Sequence, residues 1–273
     1  MFLITGATGN VGRHLVAELA TAGHKVRALT RDPAAARFPA GVEAAATADM
    51  PLDGVGAVFV NPAVFHGGFG DLLDRCREHG VRRVVMLSSS STLDAGPGNP
   101  IGQMHLDKER EIEASGLEWV FPRPGAFAAN ALAWAGQIRA DGVVRGAYAD
   151  AQTAPIHERD IAAVCARALT GDDLVGTRPV LSGPESLTFT DQARRIGEVI
   201  GRDVRYEELS REDARAQMLG GGYVTPVIAD SLLDMFAACV GRPAEISPEV
   251  ERITGRPART FAEWAADNAD LFA

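Results

Sequence analysis

The sequence predicts an α/β fold: a doubly wound parallel sheet followed by a small, mainly helical C-terminal cap. Three observations predict it. The chain has 273 residues, 46% of them hydrophobic and 23% charged, the profile of one large globular domain or two small ones. From residue 1 to residue 121, short apolar runs alternate with amphipathic stretches through short Gly-marked links. That alternation is the signature of right-handed crossovers between parallel strands. After Pro124 the alternation loosens and helical stretches dominate.

Element by element, residues 1–5 read as a strand and 11–22 as a helix. Strands follow at 25–30, weakly at 42–46, and at 56–60. A helix at 70–79, a strand at 83–88, a helix at 101–114 and a strand at 117–121 complete the first half. The stretch 47–55 is too short and too rich in Pro and Gly for a crossover helix, so one helix of the pattern is expected to be missing or reduced there. Farther on, 126–139 reads as a helix, and 143–147 and 178–181 as strands with a helix at 158–169 between them. Residues 191–200 read as a helix capped by Thr190. A strand at 204–208 and helices at 211–219, 227–240, 248–253 and 261–271 end the chain. Residues 1–125 are expected to form the core. Residues 126–273 are expected to form a cap sharing a cleft with it, with 153–182 returning to the core sheet.

Charge excludes several partner classes. With 27 basic and 36 acidic residues the net charge is −9, and no basic cluster offers a face to nucleic acid or to an anionic membrane. The pairs Arg82-Arg83 and Arg194-Arg195 are isolated and read as solvated. No run of about 18 apolar residues spans a membrane, and no secretory signal is expected, because Phe2-Leu3-Ile4 already reads as a strand. Cys76, Cys165 and Cys239 are odd in number, far apart and in no metal-like spacing. They read as reduced, partly buried thiols of a cytoplasmic protein with no metal site. Only two of the basic residues are lysines, Lys25 and Lys108, which singles out each of them for inspection.

The motif that carries chemistry is Gly6-Ala7-Thr8-Gly9-Asn10-Val11-Gly12, a GxxGxxG run between the first strand and the first helix. Its glycines permit a tight turn, backbone approach to a pyrophosphate and close helix packing. The helix N-terminus then faces the phosphates with its dipole. This points to a Rossmann dinucleotide site. The second strand ends Ala28-Leu29-Thr30-Arg31-Asp32. Thr30 stands where an acid for the ribose of NAD is expected, and Arg31 suits a 2′-phosphate, so NADP is preferred to NAD. The alternative has Arg31 solvated and Asp32 on the ribose.

Gly6–Gly12, residues 28–33 and 84–89, and the run Ser115-Gly116-Leu117-Glu118-Trp119-Val120-Phe121-Pro122-Arg123-Pro124-Gly125-Ala126-Phe127 together resemble the NmrA-like branch of the atypical short-chain dehydrogenase/reductases. The closer likeness is to its quinone oxidoreductase type 2-like members, and it covers nearly the whole chain. The resemblance implies that Gly6, Thr8, Gly9, Asn10, Val11 and Gly12 hold the pyrophosphate and that Arg31 meets the adenosine phosphate. It implies Asp49 near the adenine, Asn61, Pro62 and Ala63 along the ribose, Ser88 and Ser89 beside the nicotinamide, and Pro124, Gly125, Ala126 and Phe127 around the carboxamide. One departure matters. Typical short-chain reductases use Tyr-x-x-x-Lys, with Tyr as proton donor. Here the Lys candidate is Lys108, and the residue four before it is Met104, which has no proton to give.

The candidates have bland readings beside the functional ones. Lys108 binds a ribose or simply pairs with Glu111 at i,i+3. His105 is an acid/base candidate or a packed helical histidine. Asp160, in the stretch holding His157, reads as a helix anchor. The Ser88–Ser91 run has no adjacent base for a nucleophile and reads as hydrogen bonding. Phe65, Phe69, Phe127, Trp134 and Tyr148 are core aromatics or, with Met104, the lining of a pocket for a flat apolar substrate. Residues 220–223 read as a connector or a lid.

The expected function is an NADPH-dependent reduction, by hydride transfer, of a quinone or other flat carbonyl compound. The alternative is a non-catalytic NADP(H)-binding sensor or regulator. A sugar-nucleotide epimerase is disfavoured by the incomplete Tyr-x-x-x-Lys pair. The expected partner is a small molecule, and the expected assembly a monomer or homodimer.

Overall fold

The computed structural model describes all residues except His66, Pro97 and Tyr223. The loop reading at 220–223 therefore lies partly outside the described residues.

Strands β1 (Phe2–Ile4), β2 (Val26–Thr30), β3 (Glu43–Ala46), β4 (Ala57–Val60), β5 (Arg83–Met86) and β6 (Glu118–Val120) form one parallel sheet in the order β3-β2-β1-β4-β5-β6. The order reverses between β1 and β4, which opens a crevice beyond their carboxyl ends. Alternate residues of each strand feed opposite faces. Ile4, Phe59 and Val85 pack with α1 (Gly12–Thr21) and α5 (Glu158–Thr170). Leu3, Val58 and Val84 pack with α2 (Gly70–Glu78) and α3 (Pro100–Ala114). As expected, no helix joins β3 to β4. None joins β2 to β3 either: Asp32 accepts from the N–H groups of Ala34 and Ala35, both at 3.1 Å, and turns the chain instead.

Beyond β6 the chain continues through β7 (Arg123–Pro124), which pairs in parallel with β10 (Val180–Leu181). Backbone bonds from Phe121 to Thr177, Arg123 to Pro179 and Gly125 to Leu181 extend this pairing, so residues 177–181, ending in β10, run along the sheet's edge. The expected helix at 126–139 is interrupted. Ala128–Trp134 winds as a 3₁₀ turn before α4 (Ala135–Asp141), because Ala126 and Ala128 first bond to Ile156. Next come β8 (Val143–Gly146), β9 (Gln152–Thr153) and β11 (Leu187–Thr188), then α6 (Phe189–Ile200) and β12 (Arg205–Glu208). α6 starts earlier than expected. Its cap is Thr188, in a capping box with Asp191, rather than Thr190. α7 (Arg211–Gly220), α8 (Pro226–Ala238), α9 (Glu249–Thr254) and α10 (Phe261–Asp267) finish the chain, and a third core gathers Trp264, Phe261 and Phe272 beneath α6.

The reading of Arg83 as solvated is corrected. Arg83 is 1% exposed. It donates to the carbonyl of Ala168 at 2.9 Å and to Glu118 at 2.8 Å, and it also bonds Asp172. It is tolerated inside because every charge it carries is paired. Cys76 and Cys165 are buried and Cys239 is half-buried, all as free thiols, and burial pushes the Cys76 thiol up to about 11. Among the described residues no helix is long and apolar enough to cross a membrane, and no group of three or more potential ligands gathers around a metal position.

Candidate functional site

The turn between β1 and α1 is shaped as its glycines require. Gly6 sits at φ +62°, where a side chain is strained. A Cβ on Gly12 would fall 2.1 Å from the Gly6 carbonyl oxygen, so this glycine lets the helix close on the turn. A Cβ on Gly9 would lie 3.2 Å from the same oxygen. Among the described residues no side chain caps α1, and a helix N-terminus with free N–H groups suits an anion. Thr8 and Asn10 are exposed at the turn, whereas Val11 is 3% exposed and its side chain belongs to the core, so only its backbone can serve a ligand. These residues fit a pyrophosphate: a cradle that a Cβ would fill, and an uncapped helix N-terminus behind it.

The rim around this turn holds the adenosine-side candidates. Arg31 is exposed at the end of β2, while the Asp32 carboxylate is engaged in the turn described above. Asp49 is exposed past β3, whose end is tied to β2 by the Thr47 N–H on the Thr30 carbonyl at 2.9 Å. Asn61 is tied to the Thr5 hydroxyl through its N–H at 2.8 Å. Its side chain accepts from Ala63 at 3.1 Å and packs against Gly6. Pro62 is buried behind it.

The other end of the crevice is built by β5, α3 and β7. A Cβ on Gly102 would lie 2.2 Å from the Ser91 carbonyl, so the first turn of α3 presses on the 3₁₀ turn Ser90–Asp94 that follows β5. Two turns further along α3, Glu109 accepts from the Ser88 hydroxyl at 2.5 Å. His105 shares this helix face between Gly102 and Glu109. Its Nδ1 is buried with no hydrogen-bond partner among the described residues. Burial holds its pKa below the usual imidazole value, Lys108 lowers it further, and Glu109 opposes.

Lys108 and Met104 stand on the adjoining face. Lys108 points to the carbonyls of Phe65 and Pro62, at 3.4 and 3.5 Å, and lies 4.7 Å from the Phe69 ring centroid. Glu111 instead accepts from the Phe69 N–H at 2.6 Å, and among the described residues no Lys108–Glu111 ion pair forms within 4 Å. Burial lowers the Lys108 pKa, against the pull of Glu111. Met104, one turn before Lys108, is 46% exposed.

Ser88 is buried and its hydroxyl donates to Glu109, whereas the half-buried Ser89 caps the following turn, its Oγ accepting from the Ser91 N–H and hydroxyl and keeping its own hydrogen to give. Ser90 is the serine beside Gly125: its Oγ lies 3.7 Å from where a Gly125 Cβ would stand. The turn Pro124–Phe127 is held by Gly125 on Leu181 and by Ala126 on Ile156, both at 2.9 Å. Phe127 leans on the core beside α5. Phe65 meets Phe69 edge to face. Trp134 and Tyr148 lie in the second half of the chain, beyond β7. Trp134 packs on Phe189 and Tyr206, and Tyr148 accepts from Arg211 at 3.3 Å.

Residues that sequence reasoning passed over are Glu109 and Arg123, joined by two bonds of 2.9 and 2.5 Å. The signal was present: Glu109 follows Gly102 and His105 and precedes Ile112 at helical spacing on the inward face. His157 and Asp160 are helix anchors, as Asp160 was read to be. His157 caps α5, and Asp160 accepts from the Arg259 N–H at 2.7 Å. A hollow of about 510 Å³ on the outer side of α1 is lined by Arg159, Arg256 and Arg259, each already paired with a carboxylate.

The fold, the strand reversal and the glycine turn define a dinucleotide-binding scaffold, and comparison with known proteins assigns its family. Residues 6–172 match the NAD(P)H-binding family, and the chain belongs to it. It is 37% identical to the (4-alkanoyl-5-oxo-2,5-dihydrofuran-3-yl)methyl phosphate reductase of Streptomyces griseus, over 100% of this chain and 99% of that protein. It is 33% identical to the NAD(P)H azoreductase of Xenophilus azovorans, again over 100% and 99%. The structure of Escherichia coli NADPH-dependent quinone oxidoreductase with NADPH superposes with a TM-score of 0.80 at 24% identity, covering 98% of this chain and 99% of that one. The resemblance to quinone oxidoreductase type 2-like proteins is thus borne out in fold and family.

Proposed function

We propose that this protein is an NADPH-dependent reductase of acceptors that stabilise the added charge themselves: quinones and other flat, conjugated carbonyl compounds. The observation that carries this reading is Met104, half-exposed one turn before Lys108, where a proton donor would otherwise stand. NADPH, when bound, supplies a hydride from C4 of its nicotinamide. The chain's own residues orient and exclude water. The Gly6–Gly12 turn holds the pyrophosphate, and Arg31 selects the 2′-phosphate over a bare ribose. Asp49, Asn61 and Pro62 line the adenosine and ribose side. Pro124, Gly125, Ala126 and Phe127 wrap the carboxamide. His105, neutral and with a free buried Nδ1, hydrogen-bonds the nicotinamide half. Lys108 shapes the Pro62–Phe65 loop against it. Phe65 and Met104 offer the apolar contact, and the cap of residues 126–273 closes the far wall.

The named substrates of the relatives, a butenolide phosphate, azo compounds and quinones, share one property that supports the reading. Each can take a hydride into a conjugated system whose anion water can protonate. A simple ketone becomes an alkoxide and needs a proton as it forms, help worth about 10²–10⁴-fold in rate. Wild-type protein is therefore expected to oxidise NADPH with a naphthoquinone at least about 10²-fold faster than with a simple ketone, and Met104→Tyr is expected to narrow that gap. Equal rates overturn the reading. Loss of all turnover in His105→Ala with NADPH affinity intact makes His105 the acid and overturns it too. Tight NADPH binding with no turnover on any acceptor favours the second reading, a sensor, which the same absent donor supports.

A further inference from the structure

The Glu109–Arg123 pair touches three segments that border the crevice. Glu109 is 0% exposed and Arg123 9%. Arg123 meets the carboxylate through Nε at 2.9 Å and Nη2 at 2.5 Å, and Ser88 donates to it at 2.5 Å. Arg178, which precedes β10 by two residues, stands 3.6 Å away. One buried carboxylate thus gathers the end of β5, the middle of α3 and the start of β7. A buried ion pair is weak evidence of stability, because desolvation offsets most of the attraction. What the forked guanidinium does supply is direction, since two parallel bonds fix both distance and angle. Ser88 leads into Ser89 and Ser90, Arg123 into Pro124 and Gly125, and His105 lies one helical turn from Glu109.

We propose that Glu109 is a positioning residue for the nicotinamide half of the dinucleotide. Through Arg123 and Ser88 it sets His105, the Ser89–Ser90 turn and the Pro124–Gly125 turn in one register, while the adenosine half is held independently by Gly6–Gly12 and Arg31. An apolar pair of similar volume would fill the space and leave that register loose. The proposal rests on the reading of the crevice as an NADPH site.

The test uses the full chain with Glu109→Gln, Glu109→Asp and the double variant Glu109→Leu/Arg123→Met. Calorimetry compares affinity for NADP⁺ with affinity for 2′,5′-ADP, which carries only the adenosine half, alongside melting temperature and naphthoquinone turnover. In Glu109→Gln the 2′,5′-ADP affinity is expected to hold, and the extra affinity of NADP⁺ over it to fall about tenfold, the loss of one charge-assisted contact. The turnover number kcat is expected to fall about 10²-fold, as for a misplacement near 1 Å, with KM for the quinone changing less. Glu109→Asp is expected to recover part of both. The double variant, which leaves no buried charge unpaired, is expected to fold and still lack the NADP⁺ advantage. A folded double variant with full NADP⁺ advantage overturns the proposal. So does a parallel loss of both affinities that tracks melting temperature, the result of a purely structural role. If wild-type protein binds neither ligand, the NADPH reading itself fails and takes the proposal with it. Failure at the variants alone leaves that reading standing.

Discussion

The two ends of the crevice are built in opposite ways. The end proposed for the phosphates is one continuous stretch, Gly6 to Gly12, whose shape follows from a positive φ at Gly6 and from the lack of room for a Cβ at Gly12. The end proposed for the nicotinamide is gathered from residues 88–90, 105–109 and 123–127, and a buried carboxylate joins them. A local site tolerates distant change and fails at a single glycine. An assembled site tolerates change in any one exposed hydroxyl and fails where the segments are tied together.

The largest expected effect tests the local end. Gly9→Val places a branched side chain where the pyrophosphate approaches the backbone, with its Cβ already 3.2 Å from the Gly6 oxygen. Calorimetry should find binding of NADPH and NADH both lost, with the circular dichroism of the fold kept. Retained affinity would make the turn merely structural. Gly12→Val is no substitute, because its Cβ would strike the Gly6 carbonyl and test folding instead.

A smaller effect sharpens the same end. Arg31→Ala removes a charge-assisted contact worth roughly 1.5–3 kcal/mol, about tenfold or more in NADPH affinity, and should leave NADH nearly untouched. Equal losses for the two cofactors would show that Arg31 does not read the 2′-phosphate.

The smallest effect lies away from both ends. Burial, with help from Arg13, holds His14 down to about 4, against an ordinary value of 6.5. Between those values the unfolded chain binds a proton that the folded chain does not, so stability contributed by neutral His14 is present above pH 6.5 and declines as pH falls towards 4. Thermal melts of His14→Gln should therefore lose less stability than wild type over that window. An identical pH slope would remove His14 from the account.

The contrast also explains what could be read from the chain. The alternation of β1 to β6 with α1, α2 and α3 was legible because each element carries its own period. The glycine turn was legible because its constraint is local. The break at Ala128 was not, since it depends on Ile156 bonding Ala126 and Ala128 from a distance. Nor was burial of Arg83, since its partners Glu118, Ala168 and Asp172 lie 35 or more residues away. For the same reason the partner of Ser88 was not legible: nothing adjacent in sequence reveals that Glu109 accepts its hydrogen.

The edge segment of residues 177–181 has a consequence for how the chain can be cut and how it is made. Phe121, Arg123 and Gly125 give their N–H groups to Thr177, Pro179 and Leu181. A fragment ending at residue 125 would expose that row of donors as a sticky margin, inviting the fragment to pair with copies of itself. Any split of the gene that keeps the first half soluble must fall beyond residue 182. On the ribosome, too, the sheet's edge stays unpaired until the polypeptide has grown past Leu181.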